Sequence, residues 1–195
     1  MISNPFKRFL SADQIETALK EVATLADQAG VAVALVGGVA LQLYGSDRFT
    51  RDVDFVTYAH TSGLFIYNHT SGFFDAMVMS IGGVQGKTKS GIPVDFLFGG
   101  EYPKLYEEAL QRAERTSSLP VPVARLAHII AMKMVARRAK DEGDIETMLR
   151  IGAVDVAETK SVIKRHLGTY GAKEFMAVVD EVAWRSKLDE ERSKK

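Results

Sequence analysis

The run Val31-Ala32-Val33-Ala34-Leu35-Val36 stops at two adjacent glycines, Gly37 and Gly38, and the chain resumes as Val39-Ala40-Leu41-Gln42-Leu43-Tyr44. The first run has the length and β-branched content of a buried strand. The second reads as a short helix starting directly after the glycines. A sharp strand-to-helix turn at a point without Cβ atoms commits this half of the chain to a layered α/β arrangement. Further on, Asp52-Val53-Asp54-Phe55-Val56-Thr57 alternates acid with bulk and reads as a second strand. Successive side chains on a strand point to opposite faces, so Asp52 and Asp54 share one face while Val53 and Phe55 turn to the core.

Two like charges roughly 7 Å apart along a strand repel unless water or a cation screens them. A third acid occurs in Ile92-Pro93-Val94-Asp95-Phe96-Leu97-Phe98, where the apolar residues take one face and Asp95 the other. If that strand lies beside the first, three carboxylates converge. Such a cluster suits Mg²⁺, which takes one or two carboxylates plus phosphate oxygens, or a pair of metals about 4 Å apart. The competing reading puts Asp52 and Asp54 on the solvated face of an edge strand, with Asp95 an unrelated surface acid. The glycines also have two readings. They let backbone N–H groups approach a phosphate, or they make a tight turn with no ligand.

Taken together, Val36-Gly37-Gly38, then Asp52-Val53-Asp54-Phe55, then Asp95 resembles the signature of the nucleotidyltransferase superfamily, the DNA polymerase beta-like group. Arg48-Phe49-Thr50-Arg51-Asp52-Val53-Asp54 is similar to the Arg-x-Thr-x-Asp-x-Asp variant of abortive-infection-toxin-like bacterial members. The resemblance covers residues 31 to 98. It implies Asp52, Asp54 and Asp95 as catalytic and metal-holding acids, two Mg²⁺ ions, and a nucleoside triphosphate met by Gly37, Gly38, Arg48 and Thr50. Thr50 serves equally as strand-compatible filler, and Arg48 as a partner for the acid cluster. Gly38 departs from the many members with Ser at this place, so a hydroxyl contact to the triphosphate has to come from elsewhere.

Around this centre, Ser11-x-x-Gln14 has the form of a capping box opening a helix that Gly30 stops. Val84–Lys89 and Ile92–Phe98 read as a hairpin about Ser90-Gly91, and Pro103–Arg115 as a helix. Residues 58 to 81 show no clear pattern beyond one short helix. Thr116–Pro122 is a Ser/Pro-rich connector, and helices follow over Val123–Arg138, Asp144–Arg150, from Asp155 to Gly168, and Ala172–Leu188. The expected architecture is therefore α/β (α+β): a small mixed sheet flanked by helices over residues 1–115, then a helical domain over 116–195 that closes the cleft.

Lys133, Arg137, Lys140 and Asp144 recur at helical spacing. They form a solvated, salt-bridged face, or, by the resemblance, Lys133 and Arg137 serve the nucleotide by offsetting charge on the leaving pyrophosphate. His60, His69, His128 and His166 have no metal-ligand spacing. Tyr102, Tyr106, Phe73 and Phe74 suit a core better than a base platform.

Lys plus Arg and Asp plus Glu both total 25 among 195 residues, which disfavours nucleic-acid binding driven by net charge. The absence of cysteine excludes disulfides and thiolate metal sites. No apolar run reaches the roughly 20 residues of a membrane span, and the expected location is the cytoplasm. The expected reaction moves a nucleoside monophosphate from a triphosphate to a hydroxyl of tRNA, protein or a small molecule, releasing pyrophosphate. The alternative is a non-catalytic binder on the same fold, or a toxin–antitoxin partner.

Overall fold

Ser11 caps the first helix, α1 (Ala12–Ala29), through the expected capping box: the Gln14 N–H donates to Ser11 Oγ at 3.3 Å and the Ser11 N–H to Gln14 Oε1 at 3.0 Å. Its far end is closed by Gly30 in the left-handed region, φ 65°, where a Cβ would be strained. The computed structural model describes residues 9–59, 72–80 and 82–193. Within those residues the chain divides into two compact units. One takes in the chain up to Gln42 together with Asp47–Ala124; the other is Leu43–Ser46 with Arg125 onward.

The first unit is built on a mixed sheet of five strands: β1 (Ala34–Val36), β2 (Val53–Val56), β3 (Phe73–Met79), β4 (Gly83–Thr88) and β5 (Pro93–Leu97), in the order β1-β2-β5-β4-β3. Only β2 and β5 run parallel; the other neighbours are antiparallel. Helix α2 (Gly37–Leu43) follows β1 without a break, as the paired glycines predict. The β4–β5 hairpin is also as expected, its turn closed by Gly91 N–H donating to Thr88 O at 2.9 Å. Period-two alternation holds where it matters. Val53, Phe55, Val94 and Phe96 are buried, and Phe55 and Phe96 stack at 5.6 Å between ring centroids. Phe73 meets Phe96 edge-on at 5.3 Å, so it is a core residue.

Strand β3 corrects the reading of residues 58 to 81 as unpatterned. Its register shifts between Phe74 and Met77, and Asp75 sits at φ 55°. The bulge breaks the alternation, and Phe74, Met77 and Val78 are exposed on the last strand of the sheet. The short helix expected in that stretch lies outside the described residues or is replaced by β3. Helix α3 (Pro103–Gln111) is shorter than expected, because Glu114 leaves the helix to exchange backbone hydrogen bonds with Val123, 2.8 Å in each direction. Residues 122–124 in turn pair with the edge of β1: the Leu35 N–H donates to Pro122 O at 2.8 Å and the Ala124 N–H to Leu35 O at 3.0 Å.

The second unit packs α4 (Leu126–Ala136), α5 (Ala139–Arg150) and α6 (Val156–Ser193), the last broken at Gly168 with φ 78° and ψ −176°. Ile130, Ile145, Met148, Ile163 and Phe175 are among its buried side chains. The expected helices Val123–Arg138 and Asp144–Arg150 are shifted. Arg137 adopts φ 50° and ends α4, and Asp141 reaches back to the Arg138 N–H at 3.3 Å to start α5 earlier. Among the described residues, no helix is long and apolar enough to cross a membrane.

Candidate functional site

Asp54 in β2 and Asp95 in β5 are partners in register across the parallel pair. Neighbouring strands lie about 4.8 Å apart, and residues opposite one another share a face, so the two carboxylates project side by side. Both are half-buried, between neighbours that are fully buried. Asp52 precedes β2, two residues before Asp54, and is also half-buried.

Gly37 presses against this pair. Val36 is the β1 partner of Asp54, and the chain turns at the next residue with φ 65°. A Cβ at position 37 would overlap Oδ2 of Asp54 and stand 2.7 Å from its Cβ. The glycine is therefore required twice, by conformation and by space. Gly37→Ala is expected to cost about 1–3 kcal/mol of stability, from the strained backbone alone. Urea denaturation checks this, and an unchanged midpoint would show that the turn relaxes.

The segment leading into β2 is held from two sides. Gln42 Nε2 donates to Arg48 O at 2.8 Å, and the Leu10 N–H donates to Thr50 O at 2.9 Å. Thr50 is buried, and its hydroxyl lies 3.0 Å from Asp52 O and 3.1 Å from Asp52 Oδ1. Over Gly38 lie Thr50 and the Arg48 guanidinium, whose Cζ would be 3.4 Å from a Cβ at position 38. Seven of the sequence-derived residues thus belong to the first unit: Gly37, Gly38, Arg48, Thr50, Asp52, Asp54 and Asp95. Gln42 and Leu10 were not singled out, because each acts on a backbone carbonyl and leaves no sequence pattern.

Lys133 and Arg137 belong to the second unit. Lys133 is buried, with Nζ 3.2 Å from Asp141 Oδ1 and a second, shorter ion pair to Asp144. Burial works against ionisation of Asp141. The hydrogen bond from Arg138 and the charges of Lys133 and Arg138 outweigh it, and hold the carboxyl below the ordinary aspartate range. Arg137 pairs with Glu174 at 2.6 Å. Lys133 and Arg137 do line a cavity of about 330 Å³, but Glu142, Glu146, Glu174 and Glu181 line it too. A wall so rich in acid is a poor place for a triphosphate.

Of the histidines, His60 and His69 lie outside the described residues, and His128 is buried in α4. Among the described residues, no three His, Asp or Glu side chains are gathered closely enough to cage a metal ion. Asp54 and Asp95 still offer paired hard-oxygen donors on one face. An ion held by one or two carboxylates takes its other ligands from water and phosphate oxygens, so the donor set fits Mg²⁺ shared with a phosphate.

No protein-family description matches the sequence, and no curated protein does. Among solved structures, an antigenic nucleotidyltransferase-like protein from Paracoccidioides brasiliensis superposes with a TM-score of 0.50 at 18% identity, over 89% of this chain and 95% of that one. JHP933 from Helicobacter pylori aligns with a TM-score of 0.45 at 16% identity, over 95% of this chain and 97% of its own. The antibiotic-resistance factor ANT(2'')-Ia aligns at 0.47 and 14%, over 95% and 100%. The last two superpositions are too loose to support a conclusion, and the first speaks to fold alone.

Proposed function

We propose that this chain, built on the nucleotidyltransferase fold, transfers a nucleoside monophosphate from a triphosphate to an acceptor hydroxyl. The observation that carries the reading is the in-register pairing of Asp54 with Asp95 beside a turn that admits only glycine. Two half-buried acids side by side repel one another, a cost that packing alone does not repay. A shared cation removes it.

In this reading Asp52, Asp54 and Asp95 would hold Mg²⁺ with no more than two carboxylates at a time, water and phosphate oxygens completing the shell. When bound, the metal supplies charge neutralisation of the phosphates and a lowered pKa for the acceptor hydroxyl. Gly37 leaves its backbone open at the carboxylates, and the Arg48 guanidinium beside Gly38 offers charge to a phosphate. The acceptor oxygen attacks the α-phosphorus, its proton passes to the Asp95 carboxylate, and pyrophosphate leaves with the electrons of the broken P–O bond. Lys133 stands outside this set, because its charge is committed to Asp141 and Asp144. The acceptor is a hydroxyl of tRNA, protein or a small molecule.

The test is thermal. A ligand that binds only the folded state stabilises it by about 2.7 kcal/mol at a hundredfold excess over its Kd. Mg²⁺ with the preferred nucleoside triphosphate is therefore expected to raise the Tm by several degrees, and neither alone does so fully. No shift with any of the four common triphosphates would overturn the proposal. Labelled triphosphates offered with tRNA, protein and small-molecule pools then identify the acceptor.

A further inference from the structure

We propose that Thr50 is a positioning residue for Asp52, and that position 38 is glycine because Thr50 fills the space a side chain there would need. The inference rests on the nucleotidyltransferase reading of the site, which assigns Asp52 to the metal. Three distances carry it. The Thr50 hydroxyl is 3.1 Å from Asp52 Oδ1 and 3.0 Å from Asp52 O, so its one proton is shared between the carboxylate and the carbonyl of the same residue. A Cβ at position 38 would stand 3.0 Å from Thr50 Oγ1 and 3.2 Å from Thr50 Cβ, closer than ordinary packing allows.

The chemistry follows from that crowding. Asp52 lies outside the sheet ladder, so strand pairing does not orient its carboxylate. A buried hydroxyl that engages Oδ1 selects one rotamer and leaves Oδ2 for another ligand. Fixing a ligand carboxylate through a hydrogen-bonded neighbour typically changes metal affinity or activity 10–100-fold. Gly38 is buried beneath Thr50 and Arg48, so its small size serves these two side chains. The hydroxyl that position 38 lacks is present on the facing strand approach, where it acts on the acid.

The test titrates the full chain with Mn²⁺ in the presence of the α,β-methylene analogue of ATP and follows free Mn²⁺ by electron paramagnetic resonance. Thr50→Val, which keeps the shape and deletes the hydroxyl, is expected to weaken Mn²⁺ binding about 10-fold, and Thr50→Ser to stay within about 2-fold of the unaltered protein. Should Thr50→Val fail to give a native circular dichroism spectrum, Thr50→Ala against Thr50→Ser carries the same comparison. Gly38→Ser is expected to weaken binding as well, by displacing Thr50. If the unaltered chain binds Mn²⁺ and Thr50→Val binds it equally, the positioning role is overturned and the enzymatic reading survives. Weakening in Thr50→Ser as large as in Thr50→Val would show that keeping the hydroxyl does not keep the binding, and would overturn it too. If the unaltered chain binds no Mn²⁺, the site reading itself falls.

Discussion

Asp54→Asn is expected to leave the sheet folded, to abolish the Tm shift produced by Mg²⁺ with a nucleoside triphosphate, and to lower the transfer rate by roughly 10³-fold or more. Metal-borne charge stabilisation is worth several kcal/mol, and each 1.36 kcal/mol is tenfold in rate. Asn has the shape of Asp, so the close approach to Gly37 and the pairing with Val36 persist. What it lacks is the anionic oxygen. Differential scanning fluorimetry reads the fold and the ligand-induced shift on one plate. A variant that keeps the full ligand-induced shift would mean that Asp54 does not hold the ion, and the carboxylate pair would lose its proposed role.

Lys133→Met is expected to destabilise the chain by about 3–5 kcal/mol at pH 7, the usual cost of leaving a buried charge without its partner. Asp141 and Asp144 are both buried against the ammonium, and Asp141 also pairs with Arg138 at 2.6 Å. The pH dependence has a definite sign. Asp141 is held below its ordinary pKa in the folded chain, so its stabilising contribution is fully present above the unfolded value of about 3.9. It is lost as pH falls through the lower folded value. The difference between Lys133→Met and the unaltered chain should therefore shrink on acidification from pH 5 to pH 3. Urea midpoints at several pH values measure it. A nucleotide-binding Lys133 would behave differently, raising KM with little change in the midpoint at pH 7.

Much of the first unit is legible from local pattern. Ser11 and Gln14 form the expected box, Gly30 stops α1, and the run before Gly37 is a strand that passes directly into a helix. The acids of β2 and β5 alternate with buried Val53, Phe55, Val94 and Phe96 as read. Strand β3 was not legible, because its bulge at Asp75 interrupts the period and its exposed Phe74, Met77 and Val78 mimic no half-buried face. The boundary at Arg137 was hidden for another reason: a non-glycine residue in the left-handed region ends α4 in the midst of good helix formers. Lys133 looked like part of a solvated stripe. Helical spacing reports which residues share a face, and says nothing of the two acids that α5 folds back upon it.

Backbone geometry repeats every two residues on a strand, so the order of residues 53–55 and 94–96 by itself determined that Asp54 and Asp95 point away from their neighbours' core face. Which acid stands beside which was decided only in three dimensions. Strands β2 and β5 are separated in the chain by the β3–β4 hairpin, and their register is chosen by burying Phe55 against Phe96. A slip of one residue would have set Val94 or Phe96 beside Asp54, because long-range pairing answers to core packing while alternation answers to the local chain alone.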